Sequence, residues 1–240
     1  MAYSLLYDLH THTVYSHGKG CIQDNVKSAS EKELKMIGIS DHGPGHRLFG
    51  IDMTRIPEMR RDIAKARKIY PDIDIQLSLE ANIINPSGKL DISREDQKKF
   101  DYIIAGYHYG VLGEKPLKAI GVCIGGFTKL FSVKTYNTDL VVNALYENDI
   151  KLLTHPGDKA NFDIDEIARV CEKTHTLMEI NNHHNGLSVE GIRIASKYDV
   201  EFVISSDAHC PADVGNCSSA LMRAEAAGLD FSRIKNLWIY

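Results

Sequence analysis

The sequence predicts an α/β protein whose parallel strands close into one barrel, with the functional site at their C-terminal ends. Three observations lead there. Short apolar runs of strand length alternate with helical stretches until seven strands have been laid down, which is the grammar of βα units and a parallel sheet. Nearly every run is followed by a histidine or an acidic residue, and a closed parallel barrel gathers all its strand C-termini around one mouth. No linker, low-complexity segment or repeat interrupts the 240 residues, so one domain over residues 1–240 is expected. An open doubly wound sheet fits less well, because it concentrates its site at one switch point and leaves most strand ends unused.

The first run, Leu5-Leu6-Tyr7, leads into Asp8-Leu9-His10-Thr11-His12-Thr13-Val14-Tyr15-Ser16-His17. Along a strand, positions i and i+2 share a face, so His10 and His12 look the same way. Two buried imidazoles each need a partner, since an unpaired buried polar group costs about 1–3 kcal/mol. A shared metal ion meets that need, and so would two separate structural roles. A helix over residues 25–35 leads to the second strand, residues 36–40, which ends in Asp41-His42. Thr54 can cap a helix running to Tyr70, with Pro57 in its first turn and Arg67 and Lys68 near its end. The third strand, residues 74–79, delivers Glu80, and the fourth, residues 102–106, delivers His108. The glycine-rich stretch from Gly110 to Lys134 exceeds the usual βα connection, so it reads either as a substrate loop or lid, or as a plain surface insertion. A helix over residues 138–148 precedes the fifth strand, residues 151–154, and its His155-Pro156-Gly157-Asp158. Helix 163–173 and strand 176–180 bring Asn181-Asn182-His183-His184. Helix 188–198 and strand 201–205 bring Ser206-Asp207-Ala208-His209, and helix 218–227 precedes a possible terminal strand over residues 234–240.

Composition narrows the function classes. With 32 acidic and 28 basic residues interspersed and a formal charge of −4, the chain has no basic footprint for duplex nucleic acid. No basic groove or aromatic platform for single strands is evident either, so nucleic acid is not the expected partner. A small anionic substrate remains open, because bound cations can supply positive charge locally. Cys21, Cys123, Cys171, Cys210 and Cys217 are odd in number and scattered without a C-x-x-C pair, which suits a reducing cytoplasm. No run approaches the roughly 18 apolar residues of a membrane span, and no targeting segment is recognisable.

Collected in order, the candidate ligands are His10, His12, His17, His42, Glu80, His108, His155, Asp207 and His209. Nine are too many for one ion, as a catalytic zinc typically takes three protein ligands plus water. Two or three divalent ions are therefore expected. A nitrogen and oxygen set without cysteine suits zinc first, with manganese or iron as alternatives.

The ordered motifs Asp-x-His-x-His-Thr, Ser-His-Gly, Ser-Asp-His-Gly, Leu-Glu-Ala-Asn, Gly-x-His, His-Pro-Gly, Glu-Ile-Asn-Asn and Ser-Asp-Ala-His resemble the PHP (polymerase and histidinol phosphatase) family from Tyr3 to about Asn236, in particular its small stand-alone metal-dependent phosphoesterases. The resemblance implies a distorted (βα)7 TIM-like barrel with a trinuclear metal centre. It assigns His10, His12, Glu80 and Asp207 to one ion, Glu80, His108 and His155 to a second with Glu80 bridging, and His17, His42 and His209 to a third. It implies phosphoester hydrolysis by a hydroxide bridging the ions, with Glu80, Asp207 and His209 as catalytic residues and histidinol-phosphatase as the alternative activity; a small monoester fits a closed mouth in a small single domain better than a polymer would.

Asp8 and Asp41 read as carboxylates that orient neighbouring imidazoles, or else as plain polar residues of the rim. His183 and His184 depart from the family pattern: either could reach the substrate or protonate its leaving group, and a solvated loop position is the alternative. His46 and Arg47, after Gly43-Pro44-Gly45, are substrate-phosphate candidates on the same terms. His175 reads as surface and Cys210 as packing. An amidohydrolase, another metal barrel opening with His-x-His, would want a ligating lysine on a middle strand, and no strand end here offers one. A non-catalytic member of the family would be expected to have lost some ligands, whereas all nine positions are filled.

Overall fold

The computed structural model describes residues 3–111 and 131–239. In chain order the strands and α-helices are β1 (Tyr3–Leu5), β2 (Tyr7–Thr11), α1 (Ile22–Glu31), β3 (Met36–Ile39), α2 (Ile56–Ile69), β4 (Asp74–Asn82), α3 (Arg94–Gln97), β5 (Tyr102–Gly106), α4 (Phe131–Glu147), β6 (Leu152–Leu153), α5 (Ile164–Thr174), β7 (Leu177–Asn181), α6 (Val189–Ala195), β8 (Phe202–Ser205), α7 (Ser218–Ala227) and β9 (Leu237–Ile239). Strands β2 to β8 pair in sequence order, all parallel. Isoleucine, leucine and valine crowd them because such strands are buried on both faces, by helices outside and by one another inside.

Three contacts bring β8 back to β2 and nearly close the barrel. At the mouth Thr11 bridges Ala208, and the His12 amide donates to the Ala208 carbonyl at 2.8 Å. Lower down, the buried Asp8 carboxylate accepts the amides of His10 at 3.3 Å, Ser206 at 3.2 Å and Gly215 at 2.9 Å. At the bottom, Asn236 donates to the carbonyls of Tyr7 and Ile204 and accepts the Ile204 amide, standing in for missing ladder bonds.

Inside the barrel Leu9, Ile104, Leu152 and Val203 form an apolar cluster separate from the core beneath the helices. Pairing of β2 with β3 slips between Asp8 and Thr11. That irregularity lets Leu9 join the floor while the next residue, His10, faces the mouth.

The opening run differs from expectation. It breaks at Leu6, whose amide goes to Asn236, so β1 pairs antiparallel with β9 in a two-stranded ribbon and only β2 enters the barrel. Helix α1 starts earlier than residue 25 because Asp24 reaches back to the Cys21 amide at 2.9 Å, and it ends earlier because Glu33 adopts a left-handed conformation. Asp52, not Thr54, caps the turn before α2, accepting the Thr54 amide at 2.9 Å. Strand β4 runs on to Asn82, which puts Glu80 within the strand. The expected loop over residues 110–134 lies mostly outside the described residues. Among the described residues no helix is long and apolar enough to cross a membrane.

Candidate metal centre

All nine candidate ligands meet at the C-terminal mouth. From β2 and the turn after it come His10, His12 and His17; from the end of β3, His42; from β4, Glu80; from beyond β5, β6 and β8 come His108, His155 and the pair Asp207 and His209. Glu80 lies at the centre and is fully buried. Its Oε1 is 2.9 Å from His155 Nε2, 3.2 Å from His108 Nε2 and 3.4 Å from His10 Nε2. Its Oε2 is 2.8 Å from His42 Nδ1 and 3.7 Å from His12 Nε2. Asp207 Oδ1 is 3.1 Å from His12 Nε2 and 3.5 Å from His10 Nε2. Among the described residues three donor groups gather within 4.8 Å: His12, His17, His42 and His209; His10, His12 and Asp207; and His42, Glu80 and His108. These groups overlap the three ligand sets that the resemblance implies without coinciding with them: His12 and His42 are each shared between two groups, Glu80 stands with His42 and His108, and His155 belongs to none of the three.

These donors fit a divalent cation. Bonds of about 2.1 Å from a tetrahedral ion leave its ligand atoms about 3.4 Å apart, the spacing seen here. His42 Nδ1 and Glu80 Oε2 lie 2.8 Å apart without hydrogen-bond alignment, and both are buried atoms with no hydrogen-bond partner, as is Asp207 Oδ1. Lone pairs that face a common point without a proton between them are what a cation satisfies.

Electrostatics agree. Burial opposes the negative charge on Glu80 and Asp207, but the imidazoles around them, His108 and His10 foremost, hold both carboxyls well below the usual range. Burial, and then the neighbouring histidines, hold His12 low and His17 down at about 3, while burial takes His108 to about 4. At neutral pH these rings are therefore unprotonated donors, as ligation requires. On His10 and His155 burial is outweighed by Glu80, Glu179 and Asp207, which raise both.

The residue that orients the first ligand is one the strand-end pattern did not pick out. Glu179, fully buried in β7, accepts from His10 Nδ1 at 2.9 Å and, through its other oxygen, from the His155 amide at 2.6 Å and Asn181 Nδ2 at 2.8 Å. It thereby fixes the His10 tautomer and aims Nε2 at the pocket. The signal was present in Leu177-Met178-Glu179-Ile180, a carboxylate inside an apolar strand. Glu179→Gln is expected to lower metal affinity and turnover about 10–100-fold while the far-ultraviolet circular dichroism stays unchanged. Full metal content with wild-type turnover would refute this role.

Asp8 and Asp41 do not contact imidazole nitrogens, contrary to expectation. Asp8 clamps the main chain, while Asp41 accepts from the Thr13 amide and hydroxyl, both at 2.7 Å, and from Ser16 Oγ at 2.5 Å, fixing the turn that carries His17. His155 and Asp207 both have positive φ, +28° and +54°, a backbone strain that tends to gather at functional sites.

His184 is not a solvated loop residue: Nδ1 lies 3.2 Å from Asp158 and Nε2 lies 3.5 Å from Asp207. The amides of His183 and His184 both donate to Asn181 Oδ1, so Asn181 ties this turn to the centre. His46 lies beside His42 with a ring separation of 5.1 Å and accepts the Phe49 amide, whereas Arg47 is exposed on the same loop. His175 is an exposed left-handed helix cap, and Cys210 is a partly buried free thiol.

Fold and site together define a divalent-metal-binding α/β barrel. The PHP domain profile matches residues 8–183, and the chain belongs to the PHP domain family. Among its relatives, a probable phosphatase of Clostridium acetobutylicum is 31% identical over 226 residues, covering 88% of this chain and 82% of that protein. A probable phosphatase of Shewanella sediminis is 28% identical over 243 residues, covering 96% and 89%. The fold is shared with a candidate histidinol phosphatase of Listeria monocytogenes (TM-score 0.69, 17% identity, 89% of this chain and 98% of that one). It is also shared with the histidinol phosphate phosphatase of Lactococcus lactis, solved with zinc, L-histidinol and phosphate (TM-score 0.63, 14% identity, 93% and 94%).

Proposed function

We propose that this chain is a metal-dependent phosphatase that hydrolyses a small phosphate monoester, using two or three divalent ions held by His10, His12, His17, His42, Glu80, His108, His155, Asp207 and His209. The observation that carries this reading is Glu80 at the centre of five imidazoles, its two oxygens turned to different sides of one pocket. When bound, such ions supply Lewis-acid chemistry, ionising water near pH 7 and neutralising the phosphoryl oxygens where charge gathers in the transition state. Zinc suits this donor set first, with manganese or iron as alternatives.

The protein's own part is to hold donors, protons and substrate in place. Glu179 accepts from His10 Nδ1, and the Asp207 carbonyl, 2.8 Å from His209 Nδ1, accepts from that ring, which leaves Nε2 of each as the atom for ligation once an ion displaces any proton there. Thr154 donates to Glu80 Oε1 at 2.8 Å and sets the carboxylate's rotation. Glu80 and Asp207 are then preorganised acceptors that need not move during reaction. His184, between Asp158 and Asp207, is the rim histidine assigned to the substrate.

One domain over residues 1–240 working on a small ester is the simplest organisation. A cytoplasmic location belongs to this reading, since five cysteines, odd in number and without a C-x-x-C pair, suit a reducing compartment. Histidinol phosphate is one candidate within the monoester class, prompted by the ligand of the Lactococcus lactis fold relative. The test is phosphate release from sugar phosphates, nucleotides and histidinol phosphate. Chelation is expected to abolish release and zinc or manganese to restore it. Metal-loaded protein that hydrolyses no phosphate ester would overturn the proposal and favour a non-catalytic role.

A further inference from the structure

Around a pocket lined by imidazoles and carboxylates, large apolar side chains in water call for a reason. Among the described residues eight large hydrophobic side chains are exposed, and four of them, Val14, Leu48, Phe49 and Tyr109, lie on the segments that directly follow His12, His42 and His108. Single exposed hydrophobics are ordinary, but a group at the rim of one polar pocket marks a contact surface.

Phe49 is the organised member of the group. It stacks on His17 at 4.4 Å and 24°, and on His46 at 5.0 Å and 27°. His46 in turn stacks on His42 at 5.1 Å and 19°, and His42 on His17 at 4.8 Å and 10°. Four nearly parallel rings thus connect the ligand side of the pocket to its rim, and Phe49 keeps 37% of its surface in solvent. Its neighbour Leu48 is 81% exposed.

The loop presenting these side chains is prebuilt. The amides of Gly50 and Ile51 return to the carbonyls of His46 at 2.9 Å and His42 at 3.0 Å. A Cβ at Gly50 would come within 2.7 Å of the Gly43 carbonyl oxygen, and one at Gly43 within 2.4 Å of the Asp91 carboxylate. Asp91 anchors the loop from below, accepting the Gly45 amide at 2.8 Å while also accepting the Asn82 amide at 2.8 Å at the end of β4. A preformed contact surface binds without first being ordered.

We propose that the loop from Gly43 to Gly50 is the specificity element of the enzyme and selects phosphate monoesters whose organic part offers a flat, apolar face, such as an aromatic or heteroaromatic ring. Phe49 makes the contact and Asp91 is a positioning residue. The proposal rests on the phosphatase reading, since the phosphate must sit at the metal centre for the organic part to reach the rim.

The test compares benzyl phosphate with n-propyl phosphate on zinc- or manganese-loaded enzyme, two esters that both release a primary alcohol. The wild type is expected to favour benzyl phosphate in kcat/KM by about tenfold. In Phe49→Ala the preference falls to about twofold or less, through KM, with metal content kept; Phe49→Trp, which retains a ring and covers the case of a poorly folded alanine variant, keeps it. Asp91→Asn is expected to lose the preference through KM while metal content is retained. A wild type without ring preference, or a Phe49→Ala enzyme that keeps it, overturns the proposal and leaves the phosphatase reading standing. Loss of metal and equal loss on both esters in Asp91→Asn overturns the positioning role. Failure of the loaded wild type on both esters overturns the ring preference alone if phosphate is still released from a sugar phosphate, nucleotide or histidinol phosphate, and overturns both readings if it is not.

Discussion

Glu80→Gln is expected to lower phosphate-ester turnover by about three orders of magnitude and to strip bound metal from the protein. The substitution keeps the shape of the side chain and removes its charge. In the native protein both oxygens are turned toward imidazole nitrogens, at 2.8–3.7 Å from five histidines. A glutamine amide offers one acceptor where the carboxylate offers two, and its NH2 group points donors at a cation. On the proposed ligand division more than one ion would share Glu80, so its loss is expected to cost more than that of a peripheral histidine. The check is turnover beside metal content by elemental analysis. Folding is expected to survive, because removing a buried charge also removes its desolvation cost. Turnover within tenfold of wild type with a full complement of metal would contradict the central role of this residue.

Asp8→Ala is expected to act on stability, lowering it by about 3 kcal/mol with little direct effect on the pocket's donors. The Asp8 carboxylate is fully buried and accepts three main-chain amides, those of His10, Ser206 and Gly215. Alanine leaves these donors without a partner where water has poor access, at about 1 kcal/mol each. Burial also pushes the Asp8 carboxyl above its ordinary range, so the ionised form is itself held at a cost that alanine relieves in part. For a chain of this size the net effect corresponds to a melting temperature lower by roughly 6–12 °C, read by calorimetry of the metal-free protein. A shift within a degree of wild type would mean that the barrel seam does not depend on this contact.

Much of the site was legible because its ligands are local to strand ends. His42, His108, His155, Asp207 and His209 each follow a short apolar run, and in a parallel barrel that position alone sends a side chain toward the mouth. His10 and His12 were legible for another reason, their shared pattern of spacing, although the strand ends at Thr11 and His12 reaches the pocket through its bond to Ala208. Glu179 escaped that logic. It sits inside a strand rather than beyond it, and what makes it part of the site is His10, 169 residues away in sequence. The roles of Asp8 and Asp41 were misjudged for a related reason: a carboxylate near histidines can serve ring or main chain equally, and only the folded geometry chooses.

By itself the sequence determined the alternation of elements, the parallel barrel and the kinds of donor at its mouth, because these follow from residue type and short spacing along the chain. Tertiary structure alone decided which oxygen faces which nitrogen, where the seam between β2 and β8 is pinned, and how the loop after His42 carries Phe49 to the rim. Those outcomes depend on groups up to 229 residues apart, as in the Asn236 bond to Tyr7, and no local preference encodes a contact that exists only once the barrel has closed.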